Sequence, residues 1–207
     1  MQVFDSAARA EDPALIKSVR YLEHSDLDTL MQLQAIVHQS LPDDRKHHMR
    51  MRSRENFEMA LDHSEDRIIG VYVGEDLAAA TLLHCPSHAE DASGFLRRYN
   101  PPWPPEKLAV MAGVVRNGAY RGLGLARTLF QESAALARAG GRESVLAVVK
   151  PDNIESMTCF CSYGFRVHHT GWDPAEGRHF NILAGNVRDI QTALSQGPRK
   201  NVLPNPA

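Results

Sequence analysis

Apolar residues recur along this chain in two rhythms. Leu27, Leu30, Met31, Leu33 and Val37 follow the three-and-four spacing of one helical face. Ser25 stands where an N-cap is expected, with Asp26 and Asp28 in the first turn, and Leu41-Pro42-Asp43-Asp44 breaks the helix after about Ser40. Ser53 is placed to cap a second helix running to about Leu61. A second amphipathic stretch runs from Leu125 to Ala139, with apolar residues at 125, 129, 130, 136 and 137, and Gly140-Gly141 ends it. The other rhythm is that of strands. Val19–Glu23 alternates, and Arg67–Val73 and Leu77–Cys85 are β-rich with only Gly74-Glu75-Asp76 between them, as in a hairpin. Leu108–Val115 and Ser144–Val149 are nearly unbroken apolar runs, the pattern of central buried strands. Pro151-Asp152-Asn153 opens a short helix that stops at Gly164, and Phe165–Thr170 and His179–Ala184 form a closing pair of strands.

The resulting order, β-α-α-β-β-β-α-β-α-β-β, predicts an α/β (α+β) fold: a mixed central sheet of about six to seven strands flanked by helices on both faces. The domain is expected over residues 18–185, after a leader at 1–17 and before a C-terminal helix and tail at 186–207. The connection over 86–107 contains Pro101-Pro102-Trp103-Pro104-Pro105, which excludes helix and central strand there.

Composition narrows the function classes. The 207 residues are 43% hydrophobic and 23% charged, with a net charge of -2, so a globally basic nucleic-acid binder is disfavoured. No apolar stretch approaches a membrane span, and the N-terminus lacks a basic start followed by an apolar run. The three cysteines, Cys85, Cys159 and Cys161, are too few for a disulfide scaffold, fit a reducing cytoplasm, and lack the spacing of a zinc site, so no metal is expected.

The informative segment is Arg121-Gly122-Leu123-Gly124-Leu125-Ala126, between a buried strand and an amphipathic helix. The first N–H groups of a helix have no internal partner and stand at the positive end of its dipole. Glycines let a ligand approach the backbone closely, and Arg121 adds a permanent charge. This makes a ready site for a diphosphate. A second segment begins a helix at Asn153-Ile154-Glu155-Ser156 and ends in Tyr163-Gly164-Phe165.

Together the two segments resemble the GNAT superfamily of acyl-CoA-dependent N-acyltransferases, which carries [QR]xxGx[GA] after its fourth strand and then Asn-x-x-[Ala/Ser] on a helix ending in Gly-Phe. The resemblance covers roughly residues 18–185. It implies acetyl-CoA or another acyl-CoA as co-substrate, held by Val114, Val115, Arg116, Arg121, Gly122, Leu123, Gly124, Leu125, Ala126, Asn153, Ser156 and Phe160. It also implies that the strands at 108–115 and 144–149 splay apart to admit the thioester. RNGAY is one residue longer than the family's spacing, which shifts the strand assignments by up to one residue.

Amine acylation needs a neutral amine, donors for the developing oxyanion and a proton for the leaving thiolate. The family's tyrosine acid falls at Phe160, which cannot donate; Tyr163, water, or no acid at all remain. Base candidates are Glu106, His84 and His168, each with a bland alternative as a surface group. The basic run Arg45, Lys46, Arg50, Arg52 and Arg54 either attracts an acidic acceptor or the nucleotide phosphates, or forms a solvated face. Trp103 either walls the acceptor pocket or simply packs. The expected activity is N-acetylation of a primary amine of a small molecule. A non-catalytic acyl-CoA-binding module and a protein or peptide N-acyltransferase are the alternatives, and a homodimer is left open.

Overall fold

The computed structural model describes residues 17–86, 101–174 and 176–197. The expected leader, most of the 86–107 connection and the tail beyond residue 197 lie outside the described residues. Seven strands form one sheet: β1 (Lys17–Tyr21), β2 (Arg67–Val73), β3 (Asp76–His84), β4 (Leu108–Arg116), β5 (Ser144–Val149), β6 (Arg166–Asp173) and β7 (Arg178–Asn186). Their order across the sheet is β1-β2-β3-β4-β5-β7-β6. Only β4 and β5 run parallel; the other neighbouring pairs are antiparallel. Among the described residues five α-helices flank it: α1 (Leu27–Ser40), α2 (Arg54–Asp62), α3 (Leu125–Ala139), α4 (Ile154–Ser162) and α5 (Val187–Gln196).

Side-chain alternation along β4 separates the two faces. Ala109 and Met111 enter the back core, where α3, α4 and α5 pack through Leu129, Phe130, Phe160 and Ile190. Leu108 and Val110 point to the front, into a small cluster with Leu146, Phe180 and Ile182. The rest of the front is covered by α1 and α2, which bury Leu27, Leu30 and Phe57 against Tyr72, Leu82 and Val115. At the centre of the back core Phe130 meets Phe160 at 4.8 Å, Tyr163 at 5.0 Å and Phe165 at 5.8 Å between ring centroids. Those rings join α3 to α4, so the two helices that carry the informative segments are clamped to each other.

The local signals act where they were read, with two differences. Ser53 caps α2 by accepting from the Asn56 N–H at 3.3 Å. Ser25 does not cap α1: the Asp26 carboxylate accepts from the Glu23 N–H at 2.9 Å, so the capping turn starts two residues earlier and Ser25 lies inside it. The first strand also lies two residues earlier than its alternation suggested, because Leu22 leaves the edge and buries in the front core.

Phe130 has only 1% of its surface exposed and touches both clamped segments. Phe130→Ala is expected to cost about 3–5 kcal/mol of stability, read as a fall in the urea midpoint with an unchanged slope.

Candidate active site

Parallel pairing between β4 and β5 runs only from Leu108↔Ser144 to Met111↔Ala147. Beyond it the strands part. The cause lies in β4, which has two residues, Gly113 and Val114, between Ala112 and Val115 where β3 has one, Thr81, between Ala80 and Leu82. The extra residue is Gly113, at φ +62°, a backbone conformation that a side chain resists. Along β5, Val148 occupies the front-facing phase yet is 43% exposed, because nothing in β4 covers it any longer. The result is a cleft floored on the front by Ala112, Gly113 and Val148.

The anion turn lies at the open end of the same strand. After β4, Asn117 caps a single turn by accepting from the Ala119 N–H at 3.0 Å. Gly122 follows at φ +89° and Gly124 at φ +69°, and α3 starts at Leu125. The N–H groups of Gly122, Gly124, Leu125, Ala126 and Arg127 have no hydrogen-bond partner among the described residues. No atom lies within 4 Å of where a side chain at Gly122 would start, and only Lys17 Nζ, at 3.9 Å, comes that close at Gly124. Five unpaired main-chain donors therefore gather at the positive end of a 15-residue helix, with open space at the two glycines and Arg121 and Lys17 beside them. Lys17, in the first described residues, was not anticipated. Its ammonium donates to the Leu123 carbonyl at 2.8 Å, so it steadies the turn while lending charge to it.

On the other side of the cleft Asn153 caps α4, accepting from the Ser156 N–H at 3.1 Å. Its amide nitrogen has no partner among the described residues and is free to donate. Arg116, ending β4, is bonded to Glu155 at 3.1 Å and so ties the parted strand to the start of α4. These features fit an extended, diphosphate-bearing ligand laid between β4 and β5.

The sequence pattern of the acetyltransferase (GNAT) family matches residues 30–165. The chain belongs to this family, whose members are acyl-CoA-dependent transferases. Solved GNAT structures superpose on it. A probable acetyltransferase from Staphylococcus epidermidis has TM-score 0.64 at 18% identity over 83% of this chain and 99% of its own. The ribosomal-protein-S18-alanine N-acetyltransferase from Escherichia coli has 0.61 at 15% over 83% and 94%. A putative acetyltransferase from Salmonella typhimurium, solved with acetyl-CoA, has 0.58 at 14% over 93% and 99%. At such identities the likeness shows the fold. No curated protein matches the sequence. No described helix is long and apolar enough to cross a membrane.

Within this GNAT domain the expected cofactor residues divide. Arg121 to Ala126, Asn153 and Ser156 border the cleft or the turn as described above. Val114 packs toward the back core and Val115 is buried in the front core. The Phe160 ring is 6% exposed and packs edge-on against Phe130 and Phe165 in the back core.

The acid and base candidates divide as well. Tyr163 belongs to the back core, 7% exposed; burial pushes its hydroxyl up, as does Cys159, while Arg127 and Arg116 pull it back. His84 and Glu106 sit at the other end of the sheet. His84 pairs with Val110, on the closed side of the splay, and its Nδ1 is bound to the buried Asp66 at 2.7 Å. Glu106 precedes β4 and is exposed. Neither is brought to the cleft. A hollow of about 510 Å³ at that closed end, lined by Leu22, Asp66 and Ile68 among others, is likewise remote from the anion turn. His168 stacks on Trp103 at 4.9 Å, and Trp103 covers the small front cluster.

Sequence reasoning named the basic run between α1 and α2 for an acidic acceptor, but missed the contact that this connection makes with Asp152. Its short 3-10 helix, Asp43–His48, carries the two histidines concerned. His47 Nε2 lies 2.6 Å and His48 Nε2 3.3 Å from the same Asp152 oxygen, at the end of β5. Burial alone would raise the Asp152 carboxyl, but the two histidines hold it below the ordinary carboxylate range. Among the described residues this is the one trio placed to hold a metal ion, its ligand atoms within 4.8 Å of one another. Four residues on, Arg52 lies over Gly113. Asp152 and the histidines are far apart in sequence, and no motif links them.

The cysteines are poor nucleophiles. Burial pushes the Cys85 thiol up to about 11 and raises Cys159 and Cys161 as well. With a raised pKa the thiolate grows only as pH climbs toward 11, leaving roughly 0.1% at pH 8. Native protein treated with iodoacetamide at pH 8 is expected to keep Cys85 unmodified by mass spectrometry, and denatured protein to lose that protection.

Proposed function

We propose that this GNAT protein transfers an acetyl group from acetyl-CoA to the primary amine of a small molecule, by direct attack with both substrates bound. The observation that carries this reading is the juxtaposition of five unpaired main-chain donors with a parallel strand pair that opens beyond Met111 and Ala147.

Each part of the site has a task. The turn from Gly122 to Arg127, with Arg121 and Lys17, binds the diphosphate. The unpaired edge of β4 beyond Met111 and the free amide of Asn153 hold the pantetheine arm, which lays the thioester along the bulge at Gly113. The amine approaches from the front, over Ala112 and Val148. Its nitrogen attacks the thioester carbonyl carbon, main-chain N–H groups of β4 face the developing oxyanion, and the C–S bond breaks. Orientation supplies much of the rate, on the order of 7–11 kcal/mol of barrier in favourable cases. The proton lost by the amine leaves through the His47–His48–Asp152 group or bound water. Tyr163, the one of the three expected catalytic residues on the cofactor side of the sheet, donates to the departing sulfur.

Thiol release from acetyl-CoA against a panel of amino acids, polyamines and aminoglycosides tests the reaction. Acetyl-CoA binding by calorimetry with no turnover of any amine would instead make the protein a sensor of acyl-CoA.

Gly124→Glu would set a carboxylate against the diphosphate. Acetyl-CoA affinity is expected to fall at least about 100-fold, since like charges in contact cost several kcal/mol. Gly124→Asn tolerates the same φ and separates charge from backbone strain. Unchanged affinity in the glutamate variant would remove the turn from the binding site.

Tyr163→Phe is expected to lower kcat about 100-fold, the scale of general acid catalysis, with acetyl-CoA affinity retained. An unchanged kcat would assign the sulfur's proton to water.

A further inference from the structure

We propose that the acceptor carries a carboxylate, as a free amino acid does, and that Arg52 grips it beside the Gly113 bulge. The inference rests on the acetyl-transfer reading above and names the class of amine that the cleft selects.

Arg52 is built into the site. Gln34, itself 2% exposed, donates from Nε2 to the Arg52 carbonyl at 3.2 Å and accepts from the Arg52 N–H at 3.1 Å. With its main chain held at both ends, the side chain extends over β4. A side chain at position 113 would start 3.1 Å from Arg52 Nε and 3.4 Å from its Cδ. Glycine at that bulge therefore admits the arginine as well as the backbone turn.

The guanidinium makes no hydrogen bond or ion pair with any described residue. Its basic neighbours do: Lys46 with Asp43 at 2.6 Å, Arg50 with Glu176 at 4.0 Å, and Arg54 with Asp28. The nearby carboxylates are engaged as well, Asp152 by His47 and His48, and Glu176 by Lys150 and Arg50. Burial and the charge of Arg50 both disfavour the Arg52 cation, yet a guanidinium does not shed its proton in a protein. The side chain is partly exposed beside the bulge, so a ligand oxyanion can reach it and supply the counter-charge that no carboxylate among the described residues provides.

Two features choose the kind of anion. The guanidinium fork matches a planar carboxylate through two parallel hydrogen bonds. The CoA diphosphate already has its own donors at the start of α3, beyond the end of β4, with Arg121 and Lys17. Arg52 stands at the bulge itself, where the reaction takes place, so the anion and the reacting amine must belong to one compact molecule.

The test compares the twenty α-amino acids with their C-terminal amides as acceptors, using acetyl-CoA and the full chain, beside calorimetric titration of acetyl-CoA. At least one acid is expected to exceed its amide in kcat/KM by about 100-fold or more. Arg52→Met is expected to erase that ratio by raising KM for the acid while acetyl-CoA affinity holds, and Arg52→Lys to restore part of it. If acetyl-CoA binds but amides match the acids, or no acid is acetylated, or Arg52→Met keeps the ratio, the anionic-acceptor inference is overturned and the cofactor reading stands. If acetyl-CoA does not bind at all, the cofactor reading fails first.

Discussion

A parallel strand pair holds together only while both strands keep the same count, and β4 breaks the count at Gly113. From that one extra residue the rest of the site follows. The ladder to β5 stops after four pairs, Val148 loses its cover, and a strip of β4, still paired with β3, is left without a strand partner on its β5 side. In a protein interior such a strip is unfavourable unless something takes the missing strand's place. An extended ligand arm can do so, because it offers amide groups at a spacing like that of a peptide. The bulge thus converts a sheet defect into a binding surface.

The remainder of the molecule keeps that opening from closing or widening. Phe130, Phe160, Tyr163 and Phe165 clamp α3 to α4 behind the cleft, Arg116 and Glu155 tie the parted ends together, and the His47–His48–Asp152 contact reaches over the front. The surface ion pairs contribute little energy, so the aromatic cluster bears most of the task. A turn whose donors are already aimed loses less entropy on binding than one that must be ordered first.

Most of the fold was legible because it depends on local patterns. The runs at 108–115 and 144–149, the periodicity of 125–139 and the two-glycine turn each declared themselves in a single window of sequence. The glycine turn and the helix start of the candidate site were legible for the same reason, since they are neighbours in the chain. The front of the site was legible only as a basic run with two readings, an anion site or a solvated face. Arg52, His47 and His48 meet Gly113 and Asp152 only after the chain has folded across the sheet, and a run of basic residues looks the same whether it faces solvent or a cleft. The packing of the Phe160 ring into the back core was not legible, because a position in a motif says nothing about which way a ring points. His84 and Glu106 border β4 in sequence, but at the end where that strand stays paired.

The two halves of the site hang on separate pieces of the architecture. The turn and α4 belong to the back core, whereas the Leu41–Ser53 stretch that delivers Arg52 rests on the front through α1 and α2. Changes in distant, separately packed elements combine nearly additively. The front stretch can therefore change its side chains while the glycine turn and the helix behind it keep their shape.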